Sequence, residues 1–146
     1  MEKQLKTYQQ MHVSGLNQQE LIVLLYSGAL RFIDEGRELI TREKKDVPKI
    51  HEKLNRARNI FVHLLSTLNL EAGGEIASKL ASLYSYFIEK ITIANVTKDI
   101  SGLDEIIPFI QGIKESWEKM ELSKEELPES KKPAGLKPVQ VFSTEV

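Results

Sequence analysis

The sequence predicts an all-α protein: an antiparallel up-down four-helix bundle over residues 17–122, with an N-terminal arm (1–16) and an extended, flexible C-terminal tail (123–146). Three observations carry this. Four long segments place apolar residues at alternating three- and four-residue steps, the spacing that aligns side chains on one helix face. Short turn and capping signals separate those segments. Few stretches alternate with period two, so almost no sheet is expected. Four helices joined by short turns pack as antiparallel neighbours. At ~1.5 Å per residue the bundle would be roughly 35 Å long.

The arm carries Leu5, Tyr8, Met11 and Val13, and Gly15 separates it from the first helix. That helix starts at Asn17, a capping residue with Glu20 three positions later, and Leu16 and Leu21 are placed to form a hydrophobic staple. Its seam is Ile22, Leu25, Ala29, Phe32, Gly36 and Leu39, beside a second stripe of Tyr26, Leu30, Ile33 and Ile40. Gly28 and Gly36 lower helix propensity but permit close helix approach. The helix ends near Glu43.

Asp46 caps the second helix, with Pro48 in the first turn, where proline is tolerated. Its seam, Val47, Ile50, Leu54, Ala57, Phe61, Leu64 and Leu68, is the cleanest heptad run in the chain. Residues 69–74 end it, and the third helix opens after Gly73-Gly74 and runs to Val96. That helix carries two adjacent stripes: Ile76, Leu80, Leu83, Phe87, and Ala77, Ala81, Tyr84, Ile88. Together they are wider than one coiled-coil seam, so the helix needs neighbours on more than one side. The fourth seam is Leu103, Ile106, Ile110, Ile113, Trp117 and Met120, introduced by Ser101 and Asp104 as a capping pair. Pro108 within it predicts a kink, or a short helix ahead of a longer one. Past Ser123, Pro128, Pro133 and Pro138 punctuate a charged segment with no helical period.

Composition narrows function by exclusion. The net charge is −1, from 20 basic and 21 acidic residues, which gives no reason to expect nucleic acid or an acidic membrane as partner. There is no cysteine, so disulfides and thiolate metal sites are excluded. No apolar run approaches the roughly 20 residues of a membrane span, and the N-terminus has no signal-peptide core, so a cytoplasmic location is expected. His12, His51 and His63 form no metal-binding pair, no phosphate loop or nucleophile elbow occurs, and neither cofactor nor enzymatic activity is expected. Residues 42–58 carry seven cations against Glu43, Asp46 and Glu52. That run reads as a solvated bundle corner, or as a docking patch for an acidic partner or nucleic acid; no aromatic interleaves it, which weakens the last version. The surplus stripes read as a broad bundle core, or as a groove for an amphipathic helix or extended peptide. A homodimeric structural bundle without a peptide client is a further reading.

Three blocks carry a resemblance to a known family. The first is Tyr8-Gln9-Gln10 with residues 25–29 (Leu-Tyr-Ser-Gly-Ala). The second is residues 73–77 (Gly-Gly-Glu-Ile-Ala) with Leu80, Leu83, Tyr84 and Tyr86. The third is Ala94-Asn95 ahead of Asp99, then Trp117. Over about residues 8–120 the chain resembles the FliS-type flagellar export chaperones, departing from their usual pattern at Ser27 and Lys79. The resemblance implies a non-enzymatic cytoplasmic bundle, and a monomer or weak homodimer is expected. It implies binding of the disordered C-terminal segment of flagellin, protection from premature polymerisation, and delivery to the type III export apparatus, with export-gate components as further partners. Around the surplus stripes Tyr26, Leu65, Tyr84, Ile88 and Asn95 are the expected partner-binding residues, with Tyr8 from the arm. Trp117 is expected in the core. The arm is expected to cover apolar bundle surface in the free protein, anchored by Tyr8, and to be displaced as client binds.

Overall fold

The structure, a computed structural model, describes residues 17–123, with side chains to residue 120. Tyr8, the arm and the tail beyond Ser123 lie outside the described residues. Four helices follow one another: α1 (Gln18–Thr41), α2 (Val47–Thr67), α3 (Leu70–Thr97) and α4 (Ser101–Ser123). No strand occurs among the described residues. Each helix packs on its two neighbours in a closed ring, and α4 leans more on α1 than on α3.

Side-chain caps set three of the four starts. Asn17 Oδ1 accepts from the Glu20 N–H at 2.8 Å, Asp46 Oδ1 from Lys49 at 3.2 Å, and Asn69 Oδ1 from Ala72 at 3.0 Å. Each satisfies a backbone donor that the first turn leaves without a helical partner. The fourth start differs from expectation. Ser101 is already helical, its N–H donates to Asp99 Oδ1 at 2.9 Å, and the Asp104 carboxylate is engaged by Arg37. α4 also runs unbroken through Pro108, so the two-helix alternative does not occur. The third helix begins earlier than the glycine pair suggested, capped by Asn69, and Gly74 (φ 56°, ψ −135°) bends it after its first turn. Only glycine adopts that conformation without strain.

The core follows the seams. In α1 all six seam residues are buried, and so are Tyr26, Ile33 and Ile40 of the second stripe, so on this helix the surplus is core. In α2 the seam is buried from Ile50 to Leu64, while Val47 at its first position is 51% exposed. Gly36 lets α1 and α2 approach: an added Cβ would sit 2.6 Å from Leu54 Cδ2. At the centre, Phe61 lies 6.3 Å from Tyr26, 6.0 Å from Tyr84 and 5.2 Å from Phe87, ring centre to ring centre. Such tilted aromatic pairs add to the area they bury. Trp117 is buried as expected.

Candidate functional site

α3 carries four of the large apolar residues left exposed, Leu70, Ile76, Ile93 and Val96. Its core edge is Ala77, Leu80, Tyr84, Phe87, Ile91 and Ala94. To either side of that edge a row of residues faces α2 or α4, and both rows retain exposed apolar groups.

On the α2 side, the Asn95 amide nitrogen lies 3.0 Å from His51 Nδ1, and the Asn55 amide nitrogen lies 2.8 Å from His51 Nε2. A neutral imidazole has one N–H and one bare nitrogen, so one of the two amides must turn its oxygen to the ring. The Lys98 ammonium donates to the Asn95 carbonyl and closes the end of α3, where Lys98 itself is left-handed at φ 59°. The His51–Asn95 contact fixes the register of these antiparallel helices. Moving along α2 from His51 brings Arg58, Val62 and Leu65 to the same side, while moving back along α3 from Asn95 brings Ile88 and Ala81. Leu65 and Ile88 are half-buried against the core. Val62 is 40% exposed, and Val96, beside Asn95, is 77% exposed. This face is an apolar strip interrupted by Arg58, with the His51–Asn95 cluster near its end.

The α4 side is different. The Tyr86 ring meets Phe109 edge-on at 6.4 Å, and its hydroxyl hydrogen-bonds Glu105. Lys90 pairs with Glu105 at 3.1 Å and lies over the Tyr86 ring. These charged links clasp α3 to α4 beneath the exposed Ile93 and Phe109. Elsewhere, Arg37–Asp104 ties α1 to α4 and Lys53–Glu35 ties α1 to α2. Within the basic segment, Arg42, Lys53 and Arg56 are paired with Glu38, Glu35 and Glu52, the arrangement of a solvated corner.

The expected contact residues therefore divide. Leu65, Ile88 and Asn95 come together on the α2–α3 face. Tyr26 and Tyr84 lie in the core at 1% and 2% exposure, their hydroxyls 2.6 Å apart, and Trp117 hydrogen-bonds Tyr26. In this arrangement neither tyrosine presents a surface to a partner. The reason is the width of the core: the ring of four helices covers Tyr26, Ile33 and Ile40 of the second stripe of α1 and Ala77 and Tyr84 of the second stripe of α3, and leaves Ile88 half-buried at the edge. Sequence reasoning missed Val47, His51, Val62 and Val96. The signal was available, since His51, Arg58, Val62 and Leu65 step along α2 by seven, four and three.

Burial is the largest cause pushing Tyr26 up to about 12 and Tyr84 well above its ordinary value, so both phenols are neutral hydrogen-bonding groups at physiological pH. Among the described residues no group of side chains is placed to hold a metal ion, and no helix is long and apolar enough to cross a membrane.

Comparison with known proteins agrees with this picture of a binding scaffold. The family model described as "Flagellar protein FliS" matches residues 1–124. The "Flagellar secretion chaperone FliSB" of Pseudomonas aeruginosa is 34% identical over 120 residues, covering 80% of this chain and 94% of that one. The "Flagellar secretion chaperone FliS" of Vibrio cholerae is 31% identical over 108 residues, 74% of this chain and 78% of its own. Its namesake in Salmonella typhimurium is 31% identical over 121 residues, 80% of this chain and 88% of its own.

Proposed function

The chain belongs to the FliS family of flagellar secretion chaperones, and from that premise we propose that its client is the disordered C-terminal segment of flagellin, taken up on the α2–α3 face. The observation that carries this is the exposed apolar strip of Val62, Leu65, Ile88 and Val96 beside the His51–Asn95 cluster. A segment that is disordered when free and amphipathic when helical buries its apolar stripe in such a groove. Folding onto the surface would bury about 1,000–3,000 Å², with the ordering entropy reducing affinity. A client segment so held is unavailable for polymerisation. The complex forms in the cytoplasm and is handed on to the type III export apparatus, whose gate components are the second class of partner.

Calorimetric titration of a flagellin C-terminal segment into the chain tests the reading. A 1:1 complex with a negative heat-capacity change is expected. No heat and no complex at tens of micromolar would remove flagellin as the client.

A further inference from the structure

We infer that the α2–α3 face favours one direction for its client helix: parallel to α3, with the C-terminal end of the client beside Lys45 and Lys98. The inference rests on the reading of this face as the client site and adds direction and charge pattern to it.

The face is long enough for a directional choice to matter. From Val47 to Leu65 the strip follows α2 for about 27 Å at ~1.5 Å per residue, enough for about five turns of a docked helix. Along that length the apolar contacts of Leu65, Val62, Ile88 and Val96 are tolerant of direction. The dipoles of α2 and α3 point opposite ways and oppose each other along this face. Charged side chains at the two ends are left to decide.

Those ends differ in sign. At the end where α2 begins, Lys44 and Lys45 are exposed in the connector just ahead of Val47, near the His51–Asn95 cluster, and Lys98 closes α3. The carboxylates there stay charged but are outnumbered, since Lys44, Lys45, Lys49 and Lys98 stand against Glu43, Asp46 and Asp99. Asp46 accepts from the Lys49 N–H, and Asp99 accepts from the Ser101 N–H, which holds its carboxyl below the usual range. At the opposite end, Glu71 and Glu75 are exposed in the first turns of α3, and Lys79 pairs with Glu75. A docked helix carries about half a positive charge at its N-terminus and half a negative charge at its C-terminus. It is therefore attracted with its N-terminus toward Glu71 and its C-terminus toward Lys45 and Lys98. Carboxylates in the last turn of the client reinforce the choice, and lysines there oppose it.

The chain has no cysteine, so a single introduced one carries a label without ambiguity. Two full-length variants, Thr97→Cys and Ala72→Cys, exposed at the two ends of α3 and leaving Lys45, Lys98 and Glu71 in place, each bear a nitroxide and are mixed with an isotope-labelled flagellin C-terminal segment. The label at position 97 is expected to broaden resonances at the C-terminal end of the bound helix, and the label at 72 those at its N-terminal end. The reverse pattern, or equal broadening of both ends by each label, overturns the inference while leaving the client site intact. Absence of a complex with the unlabelled protein overturns the client reading itself, and the inference with it. As a second readout, joint Lys44→Glu and Lys45→Glu substitution should weaken binding several-fold at low ionic strength and by less than twofold at ~0.5 M salt, where exposed charges are screened. A salt-independent loss, or none at low salt, contradicts the electrostatic basis.

Discussion

Replacing Tyr26 with phenylalanine should cost more stability than replacing Tyr84, although the two tyrosines share one hydrogen bond. Tyr26 occupies the middle of a buried polar chain. Its hydroxyl lies 2.6 Å from that of Tyr84 and also accepts the Trp117 indole N–H. Tyr26→Phe leaves two buried groups without this partner, the Tyr84 hydroxyl and the Trp117 N–H. Tyr84→Phe leaves only Tyr26 altered, and Tyr26 keeps its bond from Trp117. An orphaned buried group costs about 1–3 kcal/mol, so Tyr26→Phe should cost roughly 2–6 kcal/mol and Tyr84→Phe about 1–3. Against a typical total of about 5–15 kcal/mol, the first is a large fraction of the fold. Urea unfolding followed by far-ultraviolet circular dichroism measures both. The single tryptophan provides an independent local probe, because only Tyr26→Phe removes a partner from its indole. An equal or larger loss for Tyr84→Phe would refute the assigned order of the chain. The same burial means that a charged residue at position 84 unfolds the bundle rather than acting on client binding alone.

Three further outcomes are expected. Stability should be intact below pH 10 and fall between pH 10 and 12, because both phenols are raised by burial, Tyr26 to about 12, while an unfolded tyrosine releases its proton near ~10. Tyr26→Phe should flatten that fall in urea midpoints at pH 9 and 11, and an unchanged slope would argue against it. Gly36→Ala should destabilise by about 1 kcal/mol, because the overlap with buried Leu54 costs about 1–3 kcal/mol and outweighs a helix-propensity gain of about 1; a raised urea midpoint would mean that Leu54 moves aside. Gly74→Ala should cost about 1–3 kcal/mol for a different reason, since its Cβ meets nothing within 4 Å and the loss comes from a φ of 56° alone; thermal unfolding of the two variants checks both.

Periodicity made the helices and most of the core readable in advance. Seam steps place Ile22, Phe32, Leu54, Phe61 and Trp117 inside, because a buried face must repeat with the turn of the helix. Asn17 and Asp46 were legible as caps because a side-chain oxygen at that position answers a local need. The start of α4 was not legible in the same way. Asp104 can cap or pair, and Arg37 from a helix far away in sequence wins it. At Pro108 the helix continues, which removes the short-helix alternative, and at Gly74 the chain bends where the glycine pair marked a boundary, with one further turn capped by Asn69 ahead of it. The candidate site was half legible. Leu65, Ile88 and Asn95 share a face that the sequence pattern allows but does not single out. Tyr26 and Tyr84 belong to stripes of the same kind, and only the closed ring of helices shows which stripes are covered. Resemblance located Asn95, whereas its partner His51 and the exposed Val62 and Val96 needed the inter-helix register.

Backbone amide exchange, or chemical-shift mapping, with and without the flagellin C-terminal segment tests the central claim most directly. The account predicts that protection and shift changes concentrate on Val47, His51, Val62, Leu65, Ile88, Asn95 and Val96, and that Val62→Glu with Ile88→Glu abolishes them in a still-helical protein. Changes confined to the α1–α4 side, with the α2–α3 face unaffected, would contradict it.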